Sequence, residues 1–107
     1  MATTPTLMFR GILTTTTTTQ LYAGTASGSA IVTNIALTNY TATAATATIN
    51  LASGGTNYPI LQAVTVPANT TAFFDLKQVL NGSTNAITGG AGTATSIQAH
   101  ISGVVIV

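Results

Sequence analysis

The sequence predicts an all-β fold: an antiparallel β-sandwich of about seven or eight strands, Ig-like or jelly-roll-like in plan. Three observations predict it. Hydrophobic residues recur at every second position instead of at helical spacing. Clusters of Gly, Asn and Pro separate the alternating segments at short intervals. Thr, Val and Ile, whose branched Cβ atoms suit a pleated strand, recur throughout the 107 residues.

Taken in order, the chain opens on MATTPTLMFRGIL, which has no cationic stretch ahead of an apolar run and so does not read as a signal peptide. Residues 1–20 are expected to belong to a single domain spanning 1–107, as an N-terminal arm or an interface strand. Thr14 to Thr19 form an unbroken threonine run, which β-propensity makes extended. An edge strand paired with a neighbouring chain and an internal strand are equally open, with a loop as the bland alternative. After a Gly- and Ser-rich turn at 23–29, AIVTNIALTNY puts Ile31, Ile35 and Leu37 on one side and Asn34, Thr38 and Tyr40 on the other. In ATATINL, Ala45, Ala47, Ile49 and Leu51 share a face opposite Thr46, Thr48 and Asn50. Turns are expected at SGGTN (53–57), VPANT (66–70), NGST (81–84) and GGAG (89–92), with Asn81-Gly82 as a type I′ candidate. FFDLKQVL (73–80) reads either as a helical turn or as a strand ending in one turn. SIQAHISGVVIV closes the chain with Ile97, Ala99, Ile101, Val105 and Val107 on one face, and Gln98, His100 and Ser102 on the other.

Charge is the unusual property. Charged residues make up 3% of the chain and the net charge is +1, against roughly 25% charged residues in ordinary soluble proteins. A free monomer ordinarily mixes both signs over its surface to resist association. The expectation is a subunit whose exterior is largely covered in an assembly. The core side chains are small and Trp is absent, so a lone subunit gains modest stability that docking neighbours would raise. Arg10 and Lys77 cannot supply the several phosphate contacts of nucleic-acid binding, nor hold an anionic membrane surface. Cysteine is absent, which excludes disulfides and thiolate metal sites and fits synthesis in a reducing cytosol.

The ionisable set is too sparse for an active site. Asp75 is the one carboxylate side chain and His100 the one histidine. A Ser-His-Asp triad can be drawn from them on paper, but no GxSxG motif supports it. Neither zinc nor calcium finds enough ligands, and GGAG lacks the lysine and the strand-to-helix setting of a phosphate loop. No catalytic residue, metal or cofactor is expected. Asp75 and Lys77 read as a surface ion pair.

Two segments carry a resemblance. LYAGTASGSAIVTNIALTNYTATAATATINL, followed by ILQAVTVPANTTAFFDLKQVLNGSTNAITGGAGTATSIQAHISGVVIV, resembles a group of small all-β virion structural proteins of tailed bacteriophages. The shared pieces are the I-V-x-N-I-x-L-T-N strand, the V-P-A-N-T corner, the D-L-x-Q-V-L edge, the Gly-rich loop and the closing ISGV, over residues 21 to 105. The resemblance implies a non-enzymatic β-sandwich subunit, a homo-oligomer made in the host cytoplasm and located in the virion. Its first expected role is a capsid decoration or cement protein that bridges major capsid protein subunits. A neck, tail or fibre-base subunit is the alternative, and a carbohydrate-binding module built on Tyr22, Tyr40 and Tyr58 a distant one. The candidate interface residues, chosen by residue type, are Leu7, Phe9, Ile12, Thr14, Thr16, Thr18, Tyr40, Tyr58 and Phe73.

Overall fold

Eight strands follow one another with short connections in the computed structural model, which describes residues 3–25 and 28–106. They are β1 (Thr3–Ile12), β2 (Gln20–Ala23), β3 (Ser29–Asn39), β4 (Ala45–Ser53), β5 (Thr56–Val66), β6 (Thr70–Asn81), β7 (Asn85–Ala91) and β8 (Ile97–Ile106). They form two four-stranded sheets, sheet A in the order β1-β8-β3-β6 and sheet B in the order β2-β7-β4-β5. All pairings are antiparallel. Only the β4–β5 link stays within a sheet; every other connection crosses between them. That alternation is the jelly-roll plan and decides between the two sandwich topologies the sequence left open.

The single hairpin turns at Gly54-Gly55, whose φ angles of 59° and 88° are those of a type I′ turn. Asn81-Gly82, the sequence-predicted candidate, is no hairpin. It links β6 in one sheet to β7 in the other, so there is no flanking ladder to close. FFDLKQVL is strand throughout, lying inside β6. Part of the predicted turn at 23–29 (residues 26 and 27) and Val107 lie outside the described residues.

The inner faces of the two sheets enclose a core of small aliphatic side chains, among them Val32, Ile35, Leu37, Ala47, Ile49, Leu80, Ile87, Ile97, Ala99 and Ile101. The alternation expected for β4 and β8 holds: Ala45, Ala47 and Ile49 are buried, as are Ile97, Ala99 and Ile101. In β3 it breaks. Ala30 and Val32 are buried ahead of Thr33, and Ile35 and Leu37 after it. Ile31 therefore faces away from Ile35, contrary to the expected pattern. The cause is a bulge: the register of β3 against β8 shifts between Val32 and Asn34, leaving Thr33 unpaired. One extra residue reverses the face of all that follows.

This bulge has neighbours. β1 shifts against β8 between Leu7 and Phe9, leaving Met8 as its extra residue. β6 shifts against β3 beside Leu76 and Lys77. The irregularities line up across sheet A, and the Thr33 hydroxyl donates to the Ser102 carbonyl oxygen at 3.3 Å within that line.

The threonine run is not a strand. Its ends remain in plane with β7, where Ala91 N donates to Thr14 O at 2.8 Å and Gly89 N to Thr19 O at 3.0 Å. Between them the chain loops out. Thr16 O accepts from Thr19 N at 3.2 Å and from the Thr19 hydroxyl at 2.9 Å, and the Thr14 and Thr19 hydroxyls meet at 2.8 Å. β-propensity favoured extension, but hydroxyl-to-backbone bonds offer the chain a competing local structure. The chain must also cross from sheet A to sheet B here. The loop lies on the outer side of sheet B: a Cβ on Gly90 would come within 2.7 Å of Thr14 O and 2.6 Å of Thr16 O. Asn50, buried beneath it, donates to Thr17 O at 2.9 Å and to the Thr88 hydroxyl at 3.2 Å, and that hydroxyl donates to Asn57 Oδ1 at 2.6 Å.

Thr95, in the β7–β8 turn, holds φ at 53°, a left-handed conformation unusual for a β-branched residue. Its side chain is exposed. Thr95→Gly is expected to stabilise the fold by about 0.5–1 kcal/mol, read as a higher denaturation midpoint.

Candidate interaction surface

Strand pairing arranges the outer face of sheet A into rows. Ile12, Gln98, Thr38 and Thr71 form one, and Arg10, His100, Ala36 and Phe73 the next. Leu7, Ser102, Asn34 and Asp75 follow, then Pro5, Val104, Ile31 and Val79. Lys77, also exposed, projects between the last two rows on β6. The chain contains two basic residues, one acidic residue and one histidine. Arg10, Lys77, Asp75 and His100 are those four, and all lie on this face. The outer side of sheet B carries no ionisable Asp, Lys, Arg or His side chain. It presents Thr46 and Thr48 of β4, Thr65 of β5, Gln20 of β2 and the threonine loop, an array of hydroxyls, methyls and amides.

The sequence-predicted contact residues are spread over the molecule. Leu7 and Ile12 are exposed on β1, one edge of sheet A, and Phe73 is 72% exposed on β6, the opposite edge. Phe9 turns inward because Met8 is extra in β1; it pairs with Ile101 and packs against the core, its ring over Gly11. Thr14, Thr16 and Thr18 are exposed on the loop beside sheet B. Tyr40 is exposed just after β3, where its N–H donates to Ser96 O at 3.3 Å, and Tyr58 is exposed on β5. Val79, 52% exposed, was not among the candidates. Reading residues 73–80 wholly as a strand would have placed it on Phe73's face.

The same rows separate the groups a hydrolytic triad would need. His100 lies on β8 and Asp75 on β6, with β3 between them, so they stand two strand spacings or about 10 Å apart across the sheet and a further row apart along it. Asp75 Oδ1 accepts instead from Asn34 Nδ2 at 3.3 Å. Among the described residues, no three His, Cys, Asp or Glu side chains gather as a metal site would require. The surface depressions are shallow; the one over the sheet A bulges is lined by Pro5, Leu7, Arg10, Thr33 and Ser102.

No family model matches the sequence, and no curated protein matches it. Among solved structures the chain is similar to one described as the cyanophage Pam1 capsid asymmetric unit, at 18% identity over 96% of this chain and 80% of that chain, with a TM-score of 0.45. It is also similar to the structure of infectious bursal disease virus, Gx strain, at 9% identity over 97% of this chain and 30% of that chain, with a TM-score of 0.46.

Proposed function

We propose that this chain is a structural subunit of a virus particle, and specifically a decoration or cement protein that seats on a phage head and bridges its capsid subunits. The observation that carries the reading is the segregation of charge: every Asp, Lys, Arg and His side chain lies on the outer face of sheet A, leaving the sheet B side neutral. Buried interface centres are depleted in charged residues because a desolvated, unpaired charge is expensive. A face of threonine, alanine and amide groups loses little when it leaves water, and its hydroxyls can exchange water for backbone partners. The jelly-roll plan is in keeping with this role, being common in viral shells, though the same plan serves lectins and cupins.

The mechanism is thermodynamic. A subunit that binds the assembled shell and not its free parts stabilises the shell by mass action. Repetition over a lattice turns weak individual contacts into firm retention. Catalysis plays no part.

The test is copy number in purified particles, measured by quantitative mass spectrometry. A head role gives a number on the order of hundreds, set by lattice symmetry, whereas about six or twelve copies would place the chain in a neck or tail ring. Absence from particles would refute the virion role.

A further inference from the structure

We propose that β6 is a self-pairing edge: two copies of the chain join antiparallel along β6, about a two-fold axis at Leu76, and fuse their A sheets into one.

The two sheets have four edge strands, β1 and β6 in A, β2 and β5 in B. Open edges invite association unless blunted. β1 carries Pro5 and the Met8 bulge. β5 carries Pro59, two register shifts and Ala63 at φ 46°. β2 is four residues long, and the threonine loop continues its line. β6 is the longest strand at 12 residues and has no proline. Against β3 it has one residue to spare, Leu76 and Lys77 lying opposite Thr33, but unlike β1 its own alternation runs unbroken through that point, from Phe73 to Asn81.

The outward side chains of β6 name the partner. At its centre they are Phe73, Asp75, Lys77 and Val79, all exposed, with Thr71 and Asn81 beyond them at the two ends. This row is complementary to itself when reversed: apolar, acidic, basic, apolar. Antiparallel pairing centred on Leu76 sets Asp75 against Lys77 of the partner subunit, Lys77 against Asp75 of the partner subunit, and Phe73 against Val79 of the partner subunit. A two-fold interface makes each contact twice, as isologous pairing requires. Within one copy Asp75 and Lys77 stand about 7 Å apart along the strand. Directly opposed residues in a pair of strands come to about 5 Å, where opposite charges attract and like charges repel. The chain's one acidic side chain and its one lysine thus meet across the axis, and Phe73, the most exposed large apolar side chain among the described residues, gains cover.

This pairing stands apart from the virion role and is read in solution. Sedimentation equilibrium of the purified full-length chain is expected to show a monomer–dimer equilibrium. Asp75→Lys and Lys77→Asp each place like charges opposite each other twice, and each should raise the dimer Kd by roughly tenfold or more. The double variant Asp75→Lys/Lys77→Asp restores opposite charges and should return to within about threefold of the native Kd. An equimolar mixture of the two single variants should form a heterodimer, because every opposed pair is then attractive. A chain that stays monomeric throughout, a dimer indifferent to the single reversals, or a double variant as weak as the singles would each overturn the proposal. A particle lacking the protein would leave it intact.

Discussion

Gly103→Ala is expected to lower the melting temperature by roughly 15 °C or more, while Ser102→Ala beside it shifts the melt by about 2 °C at most. Gly103 is buried in β8 between Thr6 of β1 and Val32 of β3. A Cβ there would collide with the carbonyl oxygen of Ile31 and stand 2.7 Å from the terminal methyl of Met8. Methionine can move aside. The Ile31 carbonyl cannot do so cheaply, because Ile31 is paired with Val104 on one side and Val79 on the other. Overpacking a well-filled core costs about 1–3 kcal/mol, and more where backbone must shift. Domains of this size hold about 5–15 kcal/mol in all. Ser102 is exposed on the opposite face of the same strand, so its variant controls for strand propensity. A Gly103→Ala melt close to the native one would show that the line of bulges in sheet A yields easily.

Asn39→Leu is expected to cost about 3–4 kcal/mol, although leucine has the same branched outline and is more apolar. Asn39 is 0% exposed. Its Nδ2 donates to Thr43 O at 2.8 Å and Val66 O at 3.0 Å, and its Oδ1 accepts from Thr41 N at 2.9 Å and the Thr41 hydroxyl at 2.7 Å. One amide thereby ties the end of β3 to the β3–β4 connection and to the end of β5. Leucine leaves two carbonyls and one N–H without these partners. The predicted loss is read by chemical denaturation. Amide exchange around residues 40–44 should quicken along with it, since those backbone groups lose their anchor. Thr41→Val removes only the hydroxyl's bonds and should cost about 1 kcal/mol. If Asn39→Leu proved as mild as Thr41→Val, the amide would be filling space, not holding the corner.

Alternation made the buried faces of β4 and β8 legible, because a strand without bulges maps sequence parity directly onto inside and outside. The face reversal at Thr33 was not legible, since an extra residue leaves parity intact on either side of it and nothing in Val32-Thr33-Asn34 announces the break. The threonine run misled for a different reason. β-branching argues for extension, but hydroxyls placed close together also bond the backbone locally, and which tendency wins depends on β7 and Asn50, distant in sequence. Jelly-roll order was out of reach because connection lengths do not say which sheet a strand enters. Residue type alone does not set exposure: Leu7, Ile12 and Phe73 lie on the surface, but Phe9 packs against the core. Val79 shows what was missing: a firm strand assignment for FFDLKQVL, which would have brought out the self-complementary row.

The placing of all side-chain charge on one sheet also decides how the two sides of the molecule answer to ionic strength. The sheet A side has formal charges for added salt to screen, so the pairing proposed along β6 would weaken as the Debye length shortens. The threonine side has none of these, and docking through it would release no counter-ions of its own. An attachment made there would respond far less to moderate added salt than one made through β6.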